Sequence, residues 1–167
     1  MKVCFLTKID KPGVEEAISF TEKKVEKLDV FSGDRLEVFP CEMSNHNYDI
    51  IFSYISPWIV PEKVLAQTKK WNINFHPGPP NYPGIGCFNF ALYNKEKTFG
   101  CTAHLMESKV DSGSIIGVDS FEVCPDDDVK ALADRTYKNI LNLYKDTLSY
   151  ILKYNKVKKT DYKWTRN

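Results

Sequence analysis

YDIIFSYI, residues 48–55, is apolar at consecutive positions rather than at every second one. A strand exposed on one face alternates apolar and polar residues. A continuous apolar run instead suits a strand covered on both faces, as in a parallel sheet with helices on either side. The segments around it fit that architecture. Upstream, KVCFLT (2–7) is a compact first strand. GVEEAISFTEKKVEKL (13–28) follows, with Val14, Ile18, Val25 and Leu28 at helical intervals, and RLEVF (35–39) is predicted as the second strand. Downstream, SPWIVPEKVLAQTKKW (56–71) is predicted as a turn and a short helix, with Pro61 in its first turn.

NINFHPG (72–78) is the next strand, stopped by Pro77. A residue before proline is pushed toward extended geometry, which keeps His76 at the strand's carboxyl edge. NFALYNKE (89–96) is predicted as a helix, and FGCTAHLME (99–107) and SGSIIGVDSFEV (112–123) as strands. A long helix is predicted within 124–154. There Val129, Leu132, Ala133, Thr136, Ile140, Leu143, Leu148 and Leu152 recur at helical spacing, and Asp126 to Asp128 complement the positive end of the helix dipole. Strands alternating with helices predict an α/β fold: an open, mostly parallel twisted sheet flanked by helices, binding ligands beyond the carboxyl ends of its strands.

The bulk numbers are compatible with one domain over 1–167. A 43% apolar, 27% charged chain with net charge +1 is neither a disordered tail nor a general polyanion binder. The apolar runs fall short of the roughly 20 residues of a membrane span. The opening MKVCFLTKI lacks a signal-peptide cleavage site. Five scattered cysteines, Cys4, Cys41, Cys87, Cys101 and Cys124, form no C-x-x-C pair and suit a reducing cytoplasm. The basic stretch KYNKVKKTDYKWTRN (153–167) is expected to be a solvated terminus rather than a nucleic-acid site.

Three polar residues are candidates for one site. Asn74 and His76 are two apart on an extended segment and so share a face. Asp111 lies in KVDSGSII. A carboxylate near a histidine favours its cationic form, while an amide donates a hydrogen bond without titrating. Such a trio suits acyl transfer: Asn74 and protonated His76 as donors to a developing oxyanion, Asp111 as acceptor of the amine's proton. Each residue also has an ordinary explanation. A histidine at a strand end is commonly a hydrogen-bonded structural group, and Asp before Ser-Gly is a common turn.

DIIFSYISPWIVPEKVL, NINFHPGPPNYPGIG and FGCTAHLMESKVDSGSII, in that order and spacing, resemble the formyltransferase family that uses 10-formyltetrahydrofolate. The resemblance covers about residues 48–120. The family's Asn-x-His-Pro falls on Asn74, His76 and Pro77, and its Asp-Thr/Ser-Gly on Asp111, Ser112 and Gly113. It implies catalytic roles for Asn74, His76 and Asp111. Folate contacts are implied at Ser56, Trp58, Ile59, Met106, Glu107 and Val110, and acceptor-side contacts at Pro77, Gly78, Tyr82 and Gly84. No metal is implied. The resemblance implies 10-formyltetrahydrofolate as the formyl donor and a small-molecule amine as the acceptor. TKIDKPG (7–13) lacks the glycine-rich phosphate loop of the glycinamide ribonucleotide enzymes, and a basic carboxyl-terminal domain like that of the initiator-tRNA enzymes is not seen here. A nucleotide-linked amino sugar is therefore the expected acceptor class, with no nucleic-acid or membrane partner. A homodimer is compatible with general frequency alone. The region before Asn74 is shorter than is usual in the family, so the sheet is expected to be shortened on its amino-terminal side.

Three rivals stand beside this. Cys87 could be a nucleophile with His76 as its base, as in thiol amidases, although free cysteine is usually a small buried hydrophobe. Cys101 and His104, with His46, could ligate a metal, but residues three apart on a strand face opposite sides. A relative that binds folate or sugar nucleotide without turnover is the third.

Overall fold

The computed structural model describes residues 1–8 and 10–165. Its strands are β1 (Lys2–Lys8), β2 (Lys27–Gly33), β3 (Ile50–Tyr54), β4 (Trp71–His76), β5 (Thr98–Leu105) and β6 (Ile115–Glu122). They form one sheet in the order β2-β1-β3-β4-β5-β6. The first four in that order are parallel, while β5 and β6 join antiparallel. The helices are α1 (Val14–Glu22), α2 (Glu62–Gln67), α3 (Cys87–Tyr93) and α4 (Val129–Tyr154).

All five residues of β3 are buried, Ser53 among them, as its largely apolar run predicts. Its alternate side chains enter different cores. Ile50, Phe52 and Tyr54 pack with Phe5, Phe75 and Tyr144 on the face covered by α1 and α4. Ile51 packs with Cys4, Leu6, Met43 and Val64 on the other. The Tyr144 ring meets Phe5, Phe52, Tyr54 and Phe75 edge-on at 5.0 to 5.5 Å between centroids, and its hydroxyl pairs with Thr21 Oγ1 at 2.5 Å. Asp128 caps α4 by accepting from the Ala131 amide at 2.7 Å.

Several sequence expectations are corrected. Residues 35–39 form no strand; Leu36 and Val38 are exposed, and the second strand is Lys27–Gly33. Leu28 therefore belongs to a strand and not to α1, which stops at Glu22. β2 is an edge strand with polar residues interspersed, so its pattern does not stand out from a helix carrying charges on one side. On α4 the buried stripe runs through Tyr144 and Ile151, while Leu152 is exposed. The β2–β3 link carries a short 3₁₀ turn, Cys41–Asn45, where a full crossover helix is usual.

The segment after α4 is not a free tail. Thr160 Oγ1 donates to the Ile115 carbonyl at 2.6 Å, Trp164 Nε1 to Gly113 at 2.8 Å, and the Thr165 amide to Pro80 at 3.1 Å. Among the described residues no helix is long and apolar enough to cross a membrane.

Candidate active site

Strand alternation sends Ile73 and Phe75 into the core under α4 and turns Asn74 and His76 to the opposite face. The antiparallel register with β5 sets Asn74 opposite His104 and His76 opposite Thr102. At His104 the β5–β6 ladder slips by one residue, because Ala103 pairs with Gly117 and His104 with Ile115. A bulge of this kind re-aims side chains, and such bulges are frequent beside active sites. The loop between these strands then delivers Asp111, which adopts a left-handed backbone at φ 46°. Aspartate tolerates that region better than most residues.

Asp111 is the hub. Its Oδ2 accepts from the Gly84 amide at 2.8 Å and lies 3.4 Å from His76 Nδ1. Its Oδ1 lies 3.2 Å from His104 Nε2 and 3.5 Å from the Asn74 amide nitrogen. The structure thus brings together Asn74, His76 and Asp111 and adds His104 to them. His104 Nδ1 lies 2.8 Å from the Leu105 carbonyl, and its Nε2 lies 3.0 Å from the Asn74 amide nitrogen as well as beside Asp111. In the sequence His104 stands out only as a weak metal-ligand candidate. The signal that points to it is its place on a strand whose Thr102 and His104 share one face while Cys101 and Ala103 share the other. Cys101 does lie in the core under α4, and no group of metal ligands occurs among the described residues.

His76 is 5% exposed and Asp111 6%. Burial pulls the His76 imidazole below its ordinary value, and the Asp111 charge and the Tyr82 carbonyl only partly offset this. Burial pushes the Asp111 carboxyl up, but the His104 hydrogen bond, the His76 charge and the Gly84 amide together hold it below the usual carboxylate range. Asp111 is thus ionised at neutral pH. His76 Nε2 faces the Tyr82 carbonyl at 2.8 Å, and since a carbonyl only accepts, that nitrogen carries a proton. His76 Nδ1, facing Asp111, is where a proton can come and go.

The proline-rich loop is held close to this cluster. Thr102 Oγ1 donates to the Gly78 carbonyl at 2.8 Å. A side chain at Gly78 would begin 2.7 Å from His76 Nε2, so glycine is required by this approach. Gly84 has φ 89°, a left-handed backbone that turns its amide toward Asp111. Tyr82 contributes its carbonyl; its phenol points toward α3, donating to Glu96 at 2.7 Å and accepting from Asn94 at 2.8 Å.

Two cavities meet at this cluster. The first, about 480 Å³, is lined by Pro77 and Gly84 together with Ser56, Trp58, Ile59, Met106, Glu107 and Val110. It opens where Ile55, at the end of β3, takes a left-handed φ of 52°, a strained state for a β-branched residue. Trp58 is anchored by Nε1 to the Glu37 carbonyl at 3.0 Å, whereas Ile59 is 70% exposed. The second cavity, about 490 Å³, lies beyond Gly84 and Asp111, against Asn81, Tyr82, Phe90 and Asn94. Gly78 lines neither cavity.

Cys87 Sγ comes within 3.6 Å of His76 Nε2, so the fold does bring the rival thiol and base together. Burial, however, pushes the Cys87 thiol up to about 11. The nearby imidazole nitrogen is already protonated toward Tyr82, so it cannot serve as the base in this arrangement.

A family model described as formyl transferase matches residues 39–148. The bifunctional polymyxin resistance protein ArnA of Wigglesworthia glossinidia brevipalpis is 36% identical over 114 residues, covering 68% of this chain and 17% of that protein. A methionyl-tRNA formyltransferase of Caldanaerobacter subterraneus subsp. tengcongensis is 32% identical over 113 residues, 67% of this chain and 35% of that one. Among solved structures, an N-formyltransferase from Helicobacter canadensis in complex with folinic acid and dTDP-3-aminofucose superposes with a TM-score of 0.81. It is 18% identical, over 100% of this chain and 70% of that one. A phosphoribosylglycinamide formyltransferase from Anaplasma phagocytophilum gives a TM-score of 0.80 at 21% identity, over 96% of this chain and 91% of that one. At these identities the structural likeness is one of fold.

Proposed function

The chain belongs to the formyl transferase family, and from that premise we propose that it transfers a formyl group from 10-formyltetrahydrofolate to a primary amine of a nucleotide-linked amino sugar. The observation that carries this reading is the convergence of Asn74, His76, His104 and the Gly84 amide on one buried carboxylate where two cavities meet.

The first cavity suits the pterin end of the folate. Its volume lies within the range of small-molecule sites, and Trp58, Val60, Leu65 and Met106 give it apolar walls beside the polar cluster. The donor supplies an activated formyl carbon. The second cavity suits the acceptor, with Phe90, 58% exposed, as a surface on which a base can stack. The Helicobacter canadensis enzyme, solved in complex with folinic acid and dTDP-3-aminofucose, supports the pairing of a folate with a nucleotide-linked sugar.

In this arrangement the amine lone pair adds to the formyl carbon and the carbonyl electrons move to oxygen. The Asn74 amide stabilises that oxygen, and His76 adds to this when its Nδ1 carries a proton; donors of this kind are worth about two to three orders of magnitude each. Asp111 takes the proton released by the nitrogen, directly or through one water. Collapse expels the folate nitrogen, which takes the proton that Asp111 received from the amine. His104 and the Gly84 amide hold Asp111 in register.

The test is release of tetrahydrofolate from 10-formyltetrahydrofolate across a panel of nucleotide-linked amino sugars, with His76→Ala as the control. Product with one sugar and none with the variant supports the reading. Folate binding without turnover across the panel would instead indicate another amine or a binding protein that does no chemistry.

A further inference from the structure

We propose that Trp164, from the segment following α4, is a positioning residue of this site, covering the His76–His104 pair and tying together the two loops that carry its neighbours. The role rests on the formyl-transfer reading; the contacts do not. The indole stands nearly perpendicular to both imidazoles, at 72° and 6.0 Å from His76 and at 86° and 5.0 Å from His104. No other described aromatic side chain stacks against both rings.

The indole is held from two sides. Its Nε1 donates to the Gly113 carbonyl at 2.8 Å, two residues beyond Asp111, and the next residue's amide, Thr165, donates to Pro80 in the loop that supplies Tyr82 and Gly84. Thr160, bonded to Ile115 at the start of β6, fixes the approach of the segment. The loops bearing Asp111 and Gly84 are thereby clamped to one another through a residue distant from both in sequence. A site that depends on a carboxylate within about 3.5 Å of several donors is sensitive to small displacements, because misplacement by about 1 Å can cost about 100-fold in rate.

The indole also helps keep water from His76. The titratable groups facing that ring are Asp111 from the β5–β6 loop, His104 from β5 and Cys87 from α3. Burial is the dominant influence on the imidazole, so removing part of its cover should let it bind a proton more readily.

The chain has three histidines, so ring-proton NMR can follow each one. The imidazole titrations and steady-state kinetics are compared among wild type, Trp164→Ala and Trp164→Phe. Trp164→Ala should raise the His76 titration midpoint by at least about half a unit and lower kcat by at least about 10-fold, with the donor KM within about twofold. Trp164→Phe, which keeps a ring but loses the bond to Gly113, should fall between on kcat and leave the midpoint nearly in place; it also serves if the alanine variant does not fold. A His76 midpoint that stays put or moves down in Trp164→Ala, or a kcat within about twofold of wild type, overturns the proposal. Absence of turnover in the wild type with every amine would refute the formyl-transfer reading instead, and the titration would still decide whether the indole governs the histidine.

Discussion

Asp111 Oδ1 lies 3.2 Å from Nε2 of His104, a residue seven positions earlier on the neighbouring strand, and both side chains are almost wholly buried. The carboxylate of the site is thus held by a histidine that itself touches Asn74, so that a change at one is felt at the others.

His104→Ala removes that hold while leaving Asn74, His76 and Asp111 themselves in the chain. Turnover should drop about 10-fold while donor affinity stays within a few-fold, as expected when a support is lost and the reacting groups remain. Tetrahydrofolate release and folate binding, measured side by side, check this. An equal loss in both would mean that His104 shapes the folate pocket.

If formyl transfer proceeds as proposed, with both groups acting on the transition state, His76→Ala and Asp111→Asn should each lower turnover by at least about 100-fold with little change in donor affinity. The double variant should cost little more than either single change if the two function as a unit. Stopped-time assays of product formation decide it.

Cys87→Ala should leave turnover within about threefold of wild type, since its thiol is held protonated and donates to backbone carbonyls of the loop. Loss of activity comparable to that of His76→Ala would revive the thiol mechanism.

Acid should destabilise the fold in two stages of the same sign. His76 has a depressed affinity for protons in the folded chain, so as pH falls through the ordinary imidazole value, about 6.5, the unfolded chain takes up a proton that the folded one resists. Asp111 is also depressed, so its contribution is present above the ordinary carboxyl value, about 3.9, and is lost as pH falls toward its folded value. Urea midpoints measured from pH 8 to 3 should fall in both windows. The Asp111→Asn variant should lack the lower stage contributed by this group.

Tyr144→Ala should destabilise by about 3–5 kcal/mol, as for other large aromatic truncations in a core, since four aromatic neighbours lose their partner. Tyr144→Phe removes only the hydroxyl paired with Thr21 and should cost about 1 kcal/mol. Chemical denaturation of the two variants tests the ratio.

The sequence by itself determined most of the sheet and the strand end that carries Asn74 and His76. The run of Ile50 to Tyr54, apolar except for Ser53, suits burial between two layers, Pro77 stops β4 just beyond His76, and strand alternation puts Asn74 and His76 on one face. These are local properties, carried by spacing and backbone sterics. Even so, the edge strand β2 lies away from its predicted place, because a half-exposed strand mixes polar and apolar residues much as a surface helix does. Tertiary structure alone decided the rest. That His104 shares a carboxylate with His76 follows from antiparallel register and a bulge, and that Trp164 lies against both histidines follows from the path of a chain segment more than fifty residues away. Contacts between segments distant in sequence depend on the packing of the whole sheet, and no periodicity within either segment encodes them.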